Sequence, residues 1–203
     1  WYAYAAGVGG MGIGTISKIL VVAGHLQGYH VRFCDKKGLA IRNGGVYTHV
    51  SYSKTEALIS PLVPYGKTDL LLGLDILEAV RGLDPKAGFH VASSDQTAVI
   101  VNTAKTETVT SLIGKDGFEV EDLEKWLQTY TKSAEYFGVD LFEVSEKWLS
   151  NKIYANIMLL GVAFQRGLIP LHLGAMQLAL KQMVKASELE ANQRAFEIGR
   201  WLA

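Results

Sequence analysis

The chemistry-bearing residues of this chain concentrate in two glycine-rich stretches near its start. The first is Gly7-x-Gly9-x-x-Gly12, with Gly10 inside it and Gly14 just beyond. Glycines at this spacing let a chain turn tightly and bring backbone N–H groups close to an anion. A helix that follows aims its positive end at the same place. Asp35 lies where a ribose-binding acid would stand, although at 28 residues from Gly7 the spacing is stretched. The second stretch is Gly38 to Gly45, with Arg42 and Asn43 inside it and His49 after it. Arg42 is a planar donor fork suited to phosphate or carboxylate, and Asn43 tolerates the left-handed conformation. With Lys36 and Lys37 it forms a cationic cluster at the expected carboxyl edge of a sheet, where open α/β folds bind ligands.

Each feature has a plainer reading. The first stretch also serves as a tight strand-to-helix turn with nothing bound, and the second as a solvated loop. His49 alternates with Val50 on a strand, where a histidine satisfied within the core is the commoner case. Cys34 is more often a small buried hydrophobe than a reactive thiol. His25, His30, His90 and His172 show no metal-ligand spacing, so no metal site is expected. There is no serine nucleophile elbow, no Walker loop and no close carboxylate pair, so no catalytic residue is assigned.

The elements that would position these residues are legible from hydrophobic spacing. Trp1–Ala6 reads as a buried strand. Ile13, Ile16, Leu20 and Ala23 then recur at helical spacing, and Tyr29–Cys34 reads as a second strand, making a βαβ unit. Val46–Tyr52, Leu58–Val63, Asp69–Leu74, Phe89–Ala92 and Ala98–Asn102 are further strand candidates, with a helix at Ile76–Arg81. That predicts six or seven strands by Thr103. Val120, Leu123, Leu127 and Tyr130 stripe a helix, and Leu141–Val144 is a candidate last strand. One long helix is expected to carry Trp148, Leu149, Ile153, Ile157, Leu160 and Phe164 to a stop at Arg166-Gly167. Two more follow, around Leu173–Met183 and Ala195–Trp201, and Trp126 and Trp148 fit helix packing. The expected fold is α/β: a Rossmann-like, mixed or mostly parallel sheet over residues 1–118, with a helical subdomain at 119–203 completing the same domain.

Composition narrows the function. The 203 residues carry 20 Lys+Arg and 20 Asp+Glu, so the basic surplus of a non-specific nucleic-acid binder is missing. One cysteine excludes an internal disulfide and any Cys-ligated zinc or iron–sulfur centre supplied by this chain alone. The longest apolar stretch, Ile153 to Phe164, is about half a membrane span. No signal peptide is evident, so a cytoplasmic protein without membrane contact is expected.

The residues also resemble a known family. Gly7-Val8-Gly9-Gly10-Met11-Gly12 is similar to an opening Gly-x-Gly-Gly-Gln-Gly, and Gly38–Val50 to a Gly-Leu-Ala-Gln-Arg-Gly-Gly-x-Val-x-Ser-His-Val block. Ser60–Pro64, Asp69–Leu72, Val99–Thr103, Gly161–Leu171 and Asn192–Phe196 resemble later blocks in the same order. The family is the gamma subunit or domain of the 2-oxoacid:ferredoxin oxidoreductases, and the C-terminal blocks look most like the indolepyruvate branch. Met11, Ile41 and Asn43 depart from its pattern. The resemblance implies an accessory component of an enzyme that decarboxylates a 2-oxoacid, such as an aryl pyruvate, on thiamine diphosphate. Electrons would pass through 4Fe-4S clusters to ferredoxin or another acceptor, and the acyl group to coenzyme A. Thiamine diphosphate, Mg and the clusters would then sit on a partner subunit or domain. Coenzyme A becomes the candidate ligand of the glycine loops, with Gly7, Gly9, Gly10, Gly12, Lys36, Lys37, Arg42, Asn43 and His49 as its contacts. The residues alone leave two alternatives: a freestanding NAD(P)-dependent dehydrogenase using the Gly7 loop and Asp35, and a non-catalytic interaction module.

Overall fold

The computed structural model describes residues 1–37, 44–55, 60–84, 90–106 and 118–203. Six strands form one sheet: β1 (Tyr2–Val8), β2 (His30–Lys37), β3 (Gly45–Ser53), β4 (Leu70–Gly73), β5 (Ala98–Asn102) and β6 (Tyr136–Val139). Their order is β2-β3-β1-β4-β5-β6. β1, β4, β5 and β6 run parallel, and β3 runs antiparallel to both β1 and β2. Only β3 is reversed, so the mixed, mostly parallel sheet expected from sequence is the one observed. The expected βαβ unit is altered, however. β3 inserts between β1 and β2, which are therefore not neighbours.

Helices clothe both faces. α1 (Ile13–Leu26) follows β1, α2 (Ile76–Arg81) follows β4, and α3 (Val120–Tyr130) packs beside α2. α4 (Leu141–Leu149), α5 (Ala155–Gln165), α6 (Leu173–Met183) and α7 (Leu189–Leu202) form the C-terminal part. Alternation along the strands sorts two cores. Ala3 and Ala5 face α1, α5, α6 and α7, with Ile16, Leu20, Ile157, Leu160 and Phe196. Tyr4 and Ala6 face α2 and α3, with Ile76, Ala79, Val99 and Leu127. α5 and α7 cross closely at Gly161 and Gly199, where an added Cβ would strike Phe196 O and Met158 O respectively.

Several sequence expectations are corrected. Leu141–Val144 is the start of α4, not a strand, because the Asp140 carboxylate accepts the Glu143 N–H at 2.8 Å and caps a helix there. The sheet's last strand is instead Tyr136–Val139, so the second half of the chain contributes to the sheet. Residues 60–63 and 90–92 are not strands. The rest of the two runs in which they were expected lies outside the described residues. The single long helix is two, separated at Ser150, whose φ is 55°, and by a short 3-10 turn from Lys152 to Tyr154. It does end at Arg166, with Gly167 left-handed at φ 73°. Trp126 and Trp148 sit on helices but are 58% and 54% exposed, so they do not serve the core.

Candidate functional site

β1 and β4 are parallel neighbours whose following helices leave to opposite faces of the sheet. That makes their carboxyl ends a topological switch point, the place where open α/β sheets receive ligands. One side of it is the turn from Gly9 to Gly12. Gly10 and Gly12 hold φ of 96° and 91°, conformations that side-chain-bearing residues avoid. Among the described residues, none beyond its chain neighbours comes within 4 Å of where a Cβ on Gly10 would stand. Gly12 is the opposite case. It caps α1, and its missing Cβ makes room for the Asn156 amide, whose Nδ2 donates to Gly12 O at 3.4 Å. Asn156 Oδ1 is buried without a partner among the described residues.

The structure brings the two glycine stretches together. Gly9 N–H donates to Gly44 O at 2.9 Å, and Gly45 pairs with Val8. Gly9 therefore does not offer its N–H to a ligand. Thr15 and Ile16 of the first turn of α1 already donate to Gly12 O, at 2.9 and 3.2 Å, and Met11 to Val8 O, which leaves the N–H groups of Gly10, Ile13 and Gly14 as the donors of this turn. Gly7 lies on β1 against Ile13 and Leu74, a packing position. Lys36 is on β2, exposed and opposite Tyr47, and it has a contact of its own. Lys37 pairs with Val46 at the end of the same strand. Arg42 and Asn43 lie outside the described residues.

His49 is not brought to the loops. It is buried on β3, its Nδ1 accepts the Val63 N–H at 3.2 Å, and its ring meets Tyr4 edge-on at 5.0 Å. Burial, and then the charge of Lys36, lowers its pKa to about 4, so the ring stays neutral with its proton on Nε2. Nε2 has no partner among the described residues. The Asp35 carboxylate is already engaged by the Ser17 hydroxyl on α1, at 3.4 Å. With β3 intervening it stands two strands from β1, roughly 10 Å away at usual strand spacing.

The other side carries charge that sequence reasoning missed. Asp75 caps α2, accepting the Glu78 N–H at 2.9 Å. Glu78 is buried. Its Oε1 accepts from Arg81 Nη1, while Oε2 has no partner among the described residues. Burial pushes this carboxyl up, Arg81 pulls it down and Asp75 raises it again. A Cβ on Gly45 would collide with Glu78 Oε2 and lie 2.9 Å from the Tyr47 hydroxyl. The phenols of Tyr4 and Tyr47 are both held above their usual range, mainly by burial. At the end of β5, the Asn102 side chain donates to Leu74 O at 3.1 Å and accepts from Leu141 N–H at 2.8 Å. Asn102 thus ties the ends of β4 and β5 to the start of α4. The only sequence signal for Asn156 is an amide inside an apolar run. Glu78 gives none, because its burial follows from strand order.

Among the described residues no group of three or more His, Cys, Asp or Glu could hold a metal ion, and no helix is long and apolar enough to cross a membrane. The site thus sets a glycine turn at the start of α1 against a buried carboxylate on a Rossmann-like sheet. The fold is that of an open α/β domain. The particular family follows from comparison: residues 3–201 match the pyruvate ferredoxin/flavodoxin oxidoreductase family, and the chain belongs to it. Indolepyruvate oxidoreductase subunit IorB of Archaeoglobus fulgidus is 26% identical over 194 residues, covering 95% of this chain and 90% of that protein. The same subunit of Thermococcus kodakarensis is 26% identical over 195 residues, covering 95% and 91%. In fold, the chain is similar to the gamma subunit of a keto/oxoacid ferredoxin oxidoreductase from Geobacter sulfurreducens (TM-score 0.63, 18% identity, 98% and 96% covered). It is also similar to part of a 2-oxoglutarate:ferredoxin oxidoreductase from Magnetococcus marinus (TM-score 0.69, 16% identity, all of this chain and 30% of that one).

Proposed function

We propose that this chain is the accessory, gamma-type component of a 2-oxoacid oxidoreductase acting on an aryl pyruvate such as indolepyruvate. The observation that carries this reading is the near coextensive match to indolepyruvate oxidoreductase subunits, 95% of this chain against 90% of the relative. The chain's own chemistry supports an accessory role. One half-buried cysteine cannot hold a cubane cluster, and among the described residues the site presents donors and charge but no nucleophile beside a base. Thiamine diphosphate, Mg and 4Fe-4S clusters belong on a partner subunit, with ferredoxin or another acceptor reached through the assembly.

Coenzyme A is the ligand proposed for the glycine loops. The residues present fit its pyrophosphate: no described neighbour crowds Gly10, α1 directs its N-terminus there, and Lys36, Lys37 and Arg42 supply positive charge. Gly12 shapes the turn, Gly7 and Gly9 act as supports, and Asn43 is proposed as a further contact. Bound there, coenzyme A supplies the thiol that accepts the acyl group. In the assembled enzyme, Arg42→Ala should raise KM for coenzyme A about tenfold, the loss of one charge-assisted contact, with kcat little changed. An unchanged KM discards the coenzyme A assignment. Native mass spectrometry of the protein from its own cells tests the larger reading. A lone chain without thiamine diphosphate or iron in any assembly would overturn it.

A further inference from the structure

We propose that the hollow between the end of α2 and the outer face of α3 is a binding site for an aromatic carboxylic acid, separate from the glycine-loop site. It encloses about 340 Å³ and is lined by Val80, Arg81, Leu83, Asp84, His90, Trp126 and Tyr130. That is roughly twice the volume of a benzene-sized cavity and at the low end for ligand pockets. A bicyclic ring with a short acidic tail fits, and a long nucleotide cofactor does not.

Trp126 and Tyr130 stand one turn apart on α3, yet they are 58% and 53% exposed. Leu127 on the same helix is fully buried and supplies the core contact. The two rings are thus available as flat walls on which another ring can stack. Val80 and Leu83 close the apolar floor. The Arg81 side chain is 54% exposed and gives Nη1 to Glu78, one donor of a fork that carries five. It answers a carboxylate. His90 Nδ1 faces Leu83 O; a carbonyl only accepts, so the imidazole proton sits on Nδ1 and Nε2 is an acceptor. The ring is held by stacking on Tyr65 at 4.6 Å. An indole or ammonium N–H is the complement of that nitrogen. Asp84 already has a contact of its own, and its negative charge disfavours phosphates and other dianions. Ring walls, one guanidinium and one acceptor describe two sources of the same chemistry: an aromatic 2-oxoacid or an aromatic amino acid. The inference stands on this hollow and does not depend on the function proposed above.

Calorimetric titration of the full chain, and then of its assembly, tests it with indole-3-acetate, phenylpyruvate, L-tryptophan and uncharged indole. An acid-bearing probe should bind at one site, with indole about tenfold weaker for want of the Arg81 contact. Trp126→Ala should weaken the acid about tenfold at an unchanged melting temperature, since the ring lies outside the core. Tyr130→Ala serves as the second variant. Binding of phenylpyruvate without L-tryptophan assigns the site to an oxoacid, and the reverse assigns it to an amino acid. No saturable binding up to about 10 mM, equal binding of indole, indifference to both variants, or loss of binding in the assembly overturns the proposal.

Discussion

The two faces of the sheet are built to different ends. Among the described residues, 29 buried hydrophobic residues form one core on the α1 side, against 13 on the α2 side. Among the described residues, the two ionisable side chains with a buried unpartnered atom, His49 (Nε2) and Glu78 (Oε2), both lie on the α2 side, where the neutral Ser51 Oγ joins them, while Thr48 and Asn156 on the α1 side are neutral. Burying an unpaired polar group costs free energy, and more when it can carry charge. The thick core on one face offsets the unsatisfied ionisable groups kept on the other. Stability is concentrated behind α1, and the groups able to respond to a ligand or proton are concentrated beneath α2.

The largest test of this contrast is at the α5–α7 crossing. Gly161→Val places a side chain against backbone that cannot move aside, and should cost roughly 4 kcal/mol. At about 2–4 °C per kcal/mol for a chain of this size, the melting temperature should fall by roughly 10 °C. A drop below about 2 °C would mean the α1 face does not dominate stability.

Next is the proton response of the α2 face. The folded-state pKa of His49, about 4, lies below its unfolded value of 6.5. Its stabilising contribution is therefore whole above pH 6.5 and is lost as pH falls towards 4, by at most about 3 kcal/mol. Urea melts of the native chain and of His49→Gln across that range should converge as pH drops. Parallel curves would show that His49 does not sense the proton.

The smallest effect separates two glycines of one turn. Gly10→Ala meets only its unfavourable φ, a cost of roughly 1–2 kcal/mol, while Gly12→Ala also strikes Asn156 and should cost about 1 kcal/mol more. Equal losses would mean that the Asn156 contact carries no weight and that both glycines serve the turn alone.

Much of this arrangement is legible in the residues. The run into Gly7–Gly12 and the Ile13, Ile16, Leu20 spacing mark β1, the turn and α1, and Leu123 and Leu127 mark α3. Spacing along the chain says nothing about which strands become neighbours. The reversal of β3 was therefore hidden, and with it the separation of Asp35 from β1 and the burial of Glu78 against Gly45. β6 escaped notice because all four of its residues are half-buried, which leaves no alternation to read. The Leu141 run had the length and composition of a strand. Its deciding signal was the Asp140–Glu143 cap, which outweighs apolarity. In the candidate site, the meeting of the two glycine stretches was foreseeable as two separate loops, but their junction at Gly9 and Gly44 is a tertiary fact.

The inserted β3 has a further consequence, for the order in which the molecule assembles. Lys37 pairs with Val46, nine residues on, whereas Ala3 pairs with Leu70 across sixty-seven. Closing the longer loop costs about 2 kcal/mol more in chain entropy, so the β2–β3 hairpin can nucleate early and the parallel ladder must wait for its crossovers. The hairpin that will hold Gly44 against Gly9 is therefore present before the edge it completes, and the junction of the two glycine stretches is finished late, as β1 docks onto a flank already made.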